Sequence, residues 1–229
     1  MLSRDFYEPA EDSYLMQKVL KEKIPIFLKE NHNLKVLEIG AGSGIQLVVL
    51  QQLGVKNIFS SDINPNAVMQ CKRIGFNCIQ SDLFEKIGDF MRFPSEAESI
   101  GMRQISLIHN DFSMLELEEI AQPRREGRLS EGNRRCPRYD LIIFNPPYLP
   151  EDKRESRESK IATTGGKNGS EIINNFLIQA KSYLNKNGKI FLLTSSMTKK
   201  INWQDYNKIK IAEDNLFMEE LFVWEICVD

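Results

Sequence analysis

The stretch Lys35-Val36-Leu37-Glu38-Ile39-Gly40-Ala41-Gly42-Ser43-Gly44 decides the fold class of this chain. Its first half is typical of a buried strand, its glycines at positions 40, 42 and 44 indicate a turn, and residues 45–53 have the apolar content of a helix. Glycine lets the backbone approach a ligand closely, and the first turn of a helix offers free N–H groups. The spacing G-x-G-x-G differs from the dinucleotide pattern G-x-G-x-x-G. The stretch therefore predicts a strand, a ligand-binding turn and a helix.

Acidic residues follow the ends of neighbouring strands. Glu38 lies just before the glycine turn, where its carboxylate can meet a ligand amine or hydroxyl. A second strand ends at Asp62, about 20 positions after the glycines, where a carboxylate can take ribose hydroxyls. A third short strand is followed by Asp82 and Leu83, a polar and an apolar group for an adenine. Because open α/β sheets bind ligands at the carboxyl ends of their strands, we expect these side chains to line one site.

The residues Asn145-Pro146-Pro147-Tyr148 carry the most information about the chemistry, and they follow an apolar strand at 141–144. An amide oxygen and a nearby backbone carbonyl are two acceptors, and a planar NH2 group has two protons to donate. Proline fixes φ, so the carbonyls of this segment take a set geometry. Tyrosine adds a flat ring. The segment predicts a site that holds a planar NH2 group while its nitrogen attacks.

Strand and helix patterns alternate along the chain, which predicts an α/β fold with a parallel sheet and helices on both faces. Residues 9–28 are predicted as a leading helix, and 168–184 as the helix between the fourth and fifth strands, closed by Asn187 and Gly188. The predicted strands are 35–39, 57–61, 77–80, 140–144 and 189–194.

About 50 residues, 86–138, separate the third and fourth predicted strands, and their composition differs from the rest because arginine replaces lysine. Within them, 104–108 is predicted as a strand, 113–121 as a short acidic helix, and 123–137 as a polar, mobile stretch. The favoured interpretation is a tolerated surface insertion. The alternative is an RNA or ribosome contact through the arginines.

The composition limits the number of domains and the classes of partner that we expect. A length of 229 residues suits one α/β domain, and the net charge of −2 with a pI near 5.9 gives no general signature of nucleic-acid binding. No stretch is apolar enough to span a membrane, and the acidic first residues are unlike a signal peptide. Four cysteines without a C-x-x-C pair indicate a reduced, cytoplasmic protein, and with only two histidines we expect no bound metal.

Together the glycine turn, the acidic strand ends and the Asn-Pro-Pro-Tyr segment resemble the class I S-adenosylmethionine-dependent methyltransferases. The N-terminal run 6–13, Phe-Tyr-Glu-Pro-Ala-Glu-Asp-Ser, resembles the opening motif of the HemK-type protein-(glutamine-N5) methyltransferases, especially their short archaeal and eukaryotic branch. The resemblance includes Gly165-Gly166-Lys167-Asn168-Gly169, 191–196 and 219–225, and it covers about residues 4–85 and 139–229. It implies a single domain, 1–229, with a seven-stranded, mostly parallel Rossmann-like sheet and a final antiparallel hairpin at 207–228. The insertion at 86–138 is atypical of the family.

The resemblance also implies the cofactor, S-adenosyl-L-methionine, and the roles of individual residues. The catalytic segment would be Asn145, Pro146, Pro147 and Tyr148, in which Asn145 Oδ1 and the Pro146 carbonyl accept the two amide protons while Tyr148 packs on the amide plane. Tyr7 and Ser13 would close over the methionine end of the cofactor. The full set of implied cofactor-binding residues is Tyr7, Ser13, Glu38, Gly40, Ala41, Gly42, Gly44, Asp62, Ile63, Asp82, Leu83 and Asn145.

The implied substrate is the glutamine of the Gly-Gly-Gln loop of a peptide-chain release factor, and the implied partner is a small zinc-binding activator protein at the sheet edge near the third strand. One alternative is methylation of adenine N6 or cytosine N4 in a nucleic acid, which needs the same acceptors once a base is flipped out. The acidic pI and the lack of a target-recognition domain disfavour it. The other alternative is a non-enzymatic cofactor-binding scaffold, which would have no need of acceptors aimed at an NH2 group.

Taken singly, these residues also have structural interpretations. The three glycines can form a plain strand-to-helix turn, Asp62 and Asp82 can cap helices, the prolines can end a strand, and Tyr7 can pack. Their joint position at the ends of successive strands favours the binding site.

Overall fold

The computed structural model describes residues 9–90, 137–152 and 163–228. Over these residues, helices and strands alternate until the fifth strand, and two more strands follow. In chain order the elements are α1 (Glu11–Glu30), β1 (Lys35–Ile39), α2 (Ile45–Gln52), β2 (Asn57–Asp62), α3 (Pro65–Arg73), β3 (Cys78–Gln80), α4 (Ile87–Phe90), β4 (Tyr139–Phe144), α5 (Glu171–Ala180), a 3-10 turn (Lys181–Tyr183), β5 (Leu184–Ser195), β6 (Tyr206–Asn215) and β7 (Glu220–Val228).

The seven strands form one sheet in the order β3-β2-β1-β4-β5-β7-β6. The pairs among β1 to β5 are parallel, whereas β7 runs antiparallel to both β5 and β6. The chain builds outward from β1 in one direction and from β4 in the other, so the strand order reverses between β1 and β4. Ligands bind at this reversal point in open α/β sheets. The predicted fold class, including the C-terminal hairpin, is confirmed.

Helices cover both faces of the sheet, and the longer ones, such as α1 and α5, bury an apolar stripe at helical spacing. On one face α1 buries Leu15, Met16, Val19, Leu20 and Ile24 against side chains of the central strands. On the other face of the sheet, the packing between helix and strands is made by aromatic rings. Phe176 of α5 lies 4.5 Å from the ring of Phe144 and 5.5 Å from that of Phe84, centroid to centroid. The core therefore holds the carboxyl ends of β1 and β4 rigidly between two layers.

The predicted helix at 168–184 is wrong at both ends. It starts only at Glu171, because Gly169 has a φ of +79° that a helix cannot accept, and it becomes a 3-10 turn after Ala180. Asn187 and Gly188 do not close it. They lie within β5, where the pairing shifts between Tyr139 and the next residues of β4.

The insertion predicted at 86–138 stays a prediction, but the described residues at its two ends contact the sheet domain. Ile87 is fully buried and begins α4, and the Arg138 Nη1 atom donates to the Leu184 carbonyl oxygen at 2.7 Å. By contacts, residues 1–91 with 138–229 form one unit, and residues 92–137 fall outside it. The predicted strand at 104–108, the helix at 113–121 and the stretch at 123–137 lie outside the described residues, except for Pro137.

Within the described ranges, no helix is both long and apolar enough to cross a membrane.

Candidate active site

The glycine turn after β1 is held by the neighbouring strand. The N–H groups of Gly40 and Ala41 both donate to the Ser61 carbonyl oxygen of β2, at 2.8 and 3.1 Å. Gly44, with a φ of +79°, precedes α2, and a Cβ there would lie 2.8 Å from Ile74. At Gly42, with a φ of +52°, a Cβ would meet nothing within 4 Å. The turn is therefore packed on its inner side at Gly44 and open at Gly42, where a ligand can approach the backbone.

Asp62, at the end of β2, links the glycine turn to the next helix. Its Oδ2 accepts from the Gly42 N–H at 2.8 Å, and its Oδ1 accepts from the Asn64 N–H at 2.8 Å. Burial raises the pKa of this carboxyl, while its backbone hydrogen bonds oppose the shift. The cap of α3 is Asn64 instead, whose side chain accepts from the Asn66 N–H. Asp62 thus fixes the turn, and its remaining lone pairs can still accept from a ligand hydroxyl.

Glu38 is the most unusual ionisable group of the site. It is 2 % exposed, and its Oε2 atom is buried without a hydrogen-bond partner in the described part of the chain. Burial raises its pKa well above the ordinary value, and the nearby Cys78 and Asp62 add to the shift. A buried polar atom that lacks a partner costs free energy, which a ligand donor at this position would recover.

The outer wall combines apolar and strained residues. Ile63 is 55 % exposed although it follows a buried carboxylate, so it offers an apolar surface beside Asp62. Leu83 is buried and has a φ of +44°, a conformation that costs free energy for a residue with a side chain. Asp82 is exposed. These three residues follow β2 and β3 at the same edge of the sheet as the glycine turn.

The Asn145-Pro146-Pro147-Tyr148 segment continues β4 beside this turn. Ile39 pairs with Phe144, and a Cβ on Gly40 would lie 4.0 Å from the Asn145 carbonyl oxygen, so the two motifs are neighbours. The Oδ1 atom of Asn145 is buried and has no hydrogen-bond partner among the described residues. The segment therefore presents an unused side-chain acceptor at the carboxyl end of the sheet.

The segment 163–170 clamps the backbone of Pro147 and Tyr148. A Cβ on Gly165 would lie 2.5 Å from the Pro147 carbonyl oxygen, and one on Gly169 would lie 2.3 Å from the Tyr148 carbonyl oxygen. Real Cβ atoms do not approach this closely, so only glycine fits at either position. The Gly165 N–H also donates to the Leu149 carbonyl oxygen at 2.9 Å. The Gly-Gly-x-x-Gly spacing signalled these glycines, but not their contact with the Pro-Pro-Tyr backbone.

Tyr148 is held from both ends. Its carbonyl oxygen accepts from the Thr198 Oγ1 hydroxyl at 3.0 Å, and its own hydroxyl lies 3.5 Å from Asp12 Oδ2 in α1. Burial raises the pKa of the Tyr148 hydroxyl, and the carboxylates of Asp12 and Glu219 raise it further, so the phenol stays protonated. None of Asp12, Thr198 and Glu219 was predicted as a site residue, although Asp12 and Glu219 lie in the segments 6–13 and 219–225 that carry the resemblance.

The predicted site residues are therefore brought to one edge, with one exception outside the described range. Ser13 is buried at the start of α1, beside Asp12 and on the Tyr148 side of the site. Tyr7 lies outside the described residues, and its contact with the cofactor stays a prediction. Within 9–90, 137–152 and 163–228, no group of three or more His, Cys, Asp or Glu side chains could hold a metal ion.

The residues of this edge fit S-adenosylmethionine. The Glu38 Oε2 atom, which has no hydrogen-bond partner among the described residues, can accept from an ammonium or hydroxyl, the open backbone at Gly42 admits close approach, and Ile63 offers an apolar surface to a planar base. Fold and site together define a class I methyltransferase.

Comparison with known proteins agrees with this class. Residues 56–221 match the family described as Eco57I restriction-modification methylase. A protein of Methanocaldococcus jannaschii, provisionally named protein N5-glutamine methyltransferase, is 30 % identical over 205 residues, which cover 86 % of this chain and 76 % of the relative. The eRF1 methyltransferase catalytic subunit mtq2 of Schizosaccharomyces pombe is 27 % identical, over 86 % of this chain and 75 % of that protein.

Among solved structures, the E. cuniculi Mtq2-Trm112 complex, described as responsible for methylation of the eRF1 translation termination factor, contains a similar fold. It has a TM-score of 0.57 and 19 % identity, and the match covers 98 % of this chain and 99 % of that one. The chain belongs to the methylase family that residues 56–221 match and, more narrowly, to the HemK-type protein-(glutamine-N5) methyltransferases.

Proposed function

We propose that this enzyme transfers a methyl group from S-adenosylmethionine to the side-chain nitrogen of the glutamine in the Gly-Gly-Gln loop of a peptide-chain release factor, a step in the maturation of the translation termination machinery. The observation that carries the proposal is the buried Oδ1 atom of Asn145, which follows β4 and has no hydrogen-bond partner in the described part of the chain. A site for an amide NH2 needs such an acceptor. The names of two relatives, which refer to glutamine and to eRF1, support the choice of substrate.

The chemistry assigned to Asn145 follows from the weakness of an amide as a nucleophile, since its lone pair is delocalised into the carbonyl. Asn145 Oδ1 and the Pro146 carbonyl oxygen accept the two N–H protons, which fixes the NH2 group and stabilises the positive charge that develops on nitrogen. Tyr148 lies against the amide plane, and its hydroxyl remains protonated. The proton leaves to water after transfer, so this mechanism uses no dedicated base.

The cofactor half of the site supplies binding. When bound, S-adenosylmethionine provides a methyl carbon that is already electrophilic because it is attached to a sulfonium. Glu38, Asp62 and the backbone of Gly40 and Gly42 hold the ligand, and Ile63 and Leu83 border the base. Glu38 gains a donor for its unpartnered Oε2 atom.

The test is a methyl-transfer assay with eRF1, a lysine peptide and an oligonucleotide in parallel, with the modified residue identified by mass spectrometry. We expect methylation of the glutamine in eRF1. Asn145→Ala should abolish transfer, because a lost acceptor leaves a substrate donor unpaired at a cost of roughly 2–4 kcal/mol in the transition state. Its cofactor affinity, measured by calorimetry, should stay within a few-fold. A variant that keeps near wild-type turnover would remove Asn145 from the mechanism.

A second candidate is transfer to an exocyclic amine of a nucleic-acid base. The observation that favours it is the match of residues 56–221 to a family named for restriction-modification methylases. The net charge of −2 disfavours strong binding to a polyanion. Methylation of the oligonucleotide but not of eRF1 would replace the first candidate with this one. Cofactor binding without transfer to any of the three substrates would support a scaffold.

We also propose a small zinc-binding activator protein as a partner at the β3 edge. The sheet ends there in a strand of three residues, Cys78–Gln80, whose outer side has no neighbour among the seven described strands. An edge strand of this kind can be extended by a partner. The similar E. cuniculi structure is a complex with a second protein, Trm112, which supports the idea. Co-expression with such a protein should raise the yield of active enzyme, and equal activity without it would exclude the requirement.

A further inference from the structure

The turn between β6 and β7, residues 216–219, lies at the catalytic edge of the sheet. Ser195, the last residue of β5, pairs with Leu221 near the start of β7. The next backbone N–H, of Ser196, donates to the Glu220 carbonyl oxygen at 2.8 Å, and the Glu220 N–H donates back to Ser196 Oγ at 3.0 Å. Because β4 and β5 are parallel, this turn projects from the same edge as Asn145. We call residues 213–220 the hairpin tip.

The hairpin tip is continuous with the acceptor site. Thr198, in the loop that the tip borders, donates to the Tyr148 carbonyl oxygen. Leu216 and Tyr148 both pack against the same apolar cluster on the α1 face of the sheet. The Glu219 carboxylate is also near enough to raise the pKa of the Tyr148 hydroxyl. A protein that places a side chain against Tyr148 would therefore pass close to the tip.

The tip exposes large apolar side chains beside carboxylates. Phe217 is 101 % exposed and Met218 is 84 % exposed, next to each other at the end of the hairpin. Contiguous exposed apolar surface rimmed by polar residues is a feature of protein interaction sites. The flanking residues are acidic, Glu213, Asp214, Glu219 and Glu220. Of these, Glu213 pairs with Lys210, whereas no cation of the described residues pairs with Asp214 or Glu220.

We propose that the hairpin tip docks the protein substrate, with Phe217 and Met218 in an apolar pocket that is bordered by lysine or arginine side chains and lies beside the target glutamine. This inference rests on the proposed function. A short loop in the active site offers few contacts, so an enzyme that recognises a folded protein needs anchors outside it, and aromatic side chains are effective anchors. The carboxylates disfavour a nucleic acid at this surface. A second copy of this chain bound at the tip would cover the edge of the sheet where Asn145 lies and would block access of the substrate, so we favour the substrate as the occupant.

The experiment compares two substrates, full-length eRF1 and a short peptide with the same Gly-Gly-Gln sequence. The double variant Phe217→Ser, Met218→Ser should lower kcat/KM on eRF1 about tenfold, mainly through KM, and change it less than about twofold on the peptide. Ile178→Ser is the matched control, because Ile178 is also apolar and 77 % exposed but lies on α5. This control variant should leave kcat/KM unchanged on both substrates.

The acidic residues of the tip allow a second, independent test of docking. The double variant Asp214→Lys, Glu220→Lys should raise the KM for eRF1 and leave the KM for the peptide unchanged. The rise in KM should be smaller at high salt, because exposed charges are screened. Equal losses on both substrates would show that the tip only supports Tyr148 and would overturn docking. So would unchanged kinetics on eRF1, or a wild-type dimer that the serine variants dissociate into monomers. If the wild type methylates neither substrate, the proposed function fails, and the docking role fails with it.

Discussion

The two halves of the proposed active site, at the carboxyl ends of β1 and β4, are held in place by different parts of the chain. The glycine turn on the cofactor side is fixed by residues about one strand away, the Ser61 carbonyl and the Asp62 carboxylate. The Asn-Pro-Pro-Tyr segment on the acceptor side is fixed by residues that follow it at a distance, Gly169 and Thr198, and by Asp12, which is 136 positions away in sequence.

This difference has a physical consequence. The cofactor side relies on hydrogen bonds, some to a backbone carbonyl and some to the Asp62 carboxylate, and the loss of any one of them costs a limited free energy. The acceptor side relies on close packing of backbone against backbone, where the smallest added group must displace a carbonyl. Cofactor binding should therefore decline by degrees under mutation, whereas methyl transfer should fail abruptly. Substitutions at four positions test this contrast, from the largest expected effect to the smallest.

Gly169→Ala should abolish methyl transfer while cofactor binding survives. A Cβ there would sit 2.3 Å from the Tyr148 carbonyl oxygen, so the acceptor segment must move. A displacement of about 1 Å in a reacting geometry can cost about a hundredfold in rate. The measurement is single-turnover transfer to eRF1, together with calorimetry for cofactor affinity.

Gly54→Ala is the matched control for Gly169→Ala. Gly54 also has a positive φ, +93°, but a Cβ there would meet nothing within 4 Å. Both variants should lose about 1–2 kcal/mol of stability from the left-handed conformation, Gly169→Ala should lose more because of the backbone clash, and only Gly169→Ala should lose transfer. Comparable transfer rates in the two variants would refute the clamp.

The positions of residues at strand ends could be predicted from the sequence, whereas the contacts that hold the acceptor segment in place could not. Strand ends, glycines and acidic residues follow one another at short spacing, so Glu38, Asp62 and Asn145 could be placed at one edge from their positions after apolar runs. The contact of Gly169 with Tyr148 joins backbone atoms, and no residue type encodes it. The helix predicted at 168–184 was wrong at its start because of the same glycine. The link from Asp12 to Tyr148 needs the packing of α1 on the sheet, which periodicity alone does not orient.

Asp62→Ala should weaken cofactor binding more than it lowers turnover at saturation. The substitution removes the acceptor for the Gly42 and Asn64 N–H groups, so the turn loses its anchor as well as a ligand contact. A hydrogen bond to a charged group is worth roughly 1.5–3 kcal/mol, which corresponds to about tenfold to hundredfold in affinity. Asp62→Asn keeps one oxygen acceptor, so its cofactor affinity should lie between those of the wild type and Asp62→Ala. Unchanged affinity in calorimetry would show that the turn holds the ligand without this carboxylate.

Glu38→Gln should stabilise the ligand-free protein at neutral pH and weaken cofactor binding. The folded-state pKa of Glu38 is raised above its unfolded value, mainly by burial. Stability from this group is therefore complete below the unfolded pKa of about 4.3 and is lost as the pH rises towards the folded pKa. Glutamine has no charge to bury, so the stability of the variant relative to the wild type should increase as the pH rises through this window. Thermal melts across pH test this, and parallel curves for the two proteins would contradict the buried, unpaired carboxylate.

Thr198→Val should have the smallest effect, and it separates support of the acceptor segment from general stability. Thr198 Oγ1 donates to the Tyr148 carbonyl oxygen and accepts from the Ser195 N–H, and valine keeps the shape without either bond. The loss should cost about 1 kcal/mol of stability and lower kcat severalfold, because the Tyr148 carbonyl oxygen loses its hydrogen bond from Thr198. Thr194→Val, four residues earlier in β5, is the control. The Thr194 hydroxyl accepts from the Trp224 Nε1–H at 2.8 Å, away from the acceptor segment, and Thr194 is the more deeply buried of the two residues, at 2 % exposure. The control should therefore lose at least as much stability, but only Thr198→Val should slow transfer to a saturating peptide. If both slow it equally, the acceptor side responds to the stability of β5 as a whole, and the contrast between gradual and abrupt support must be given up.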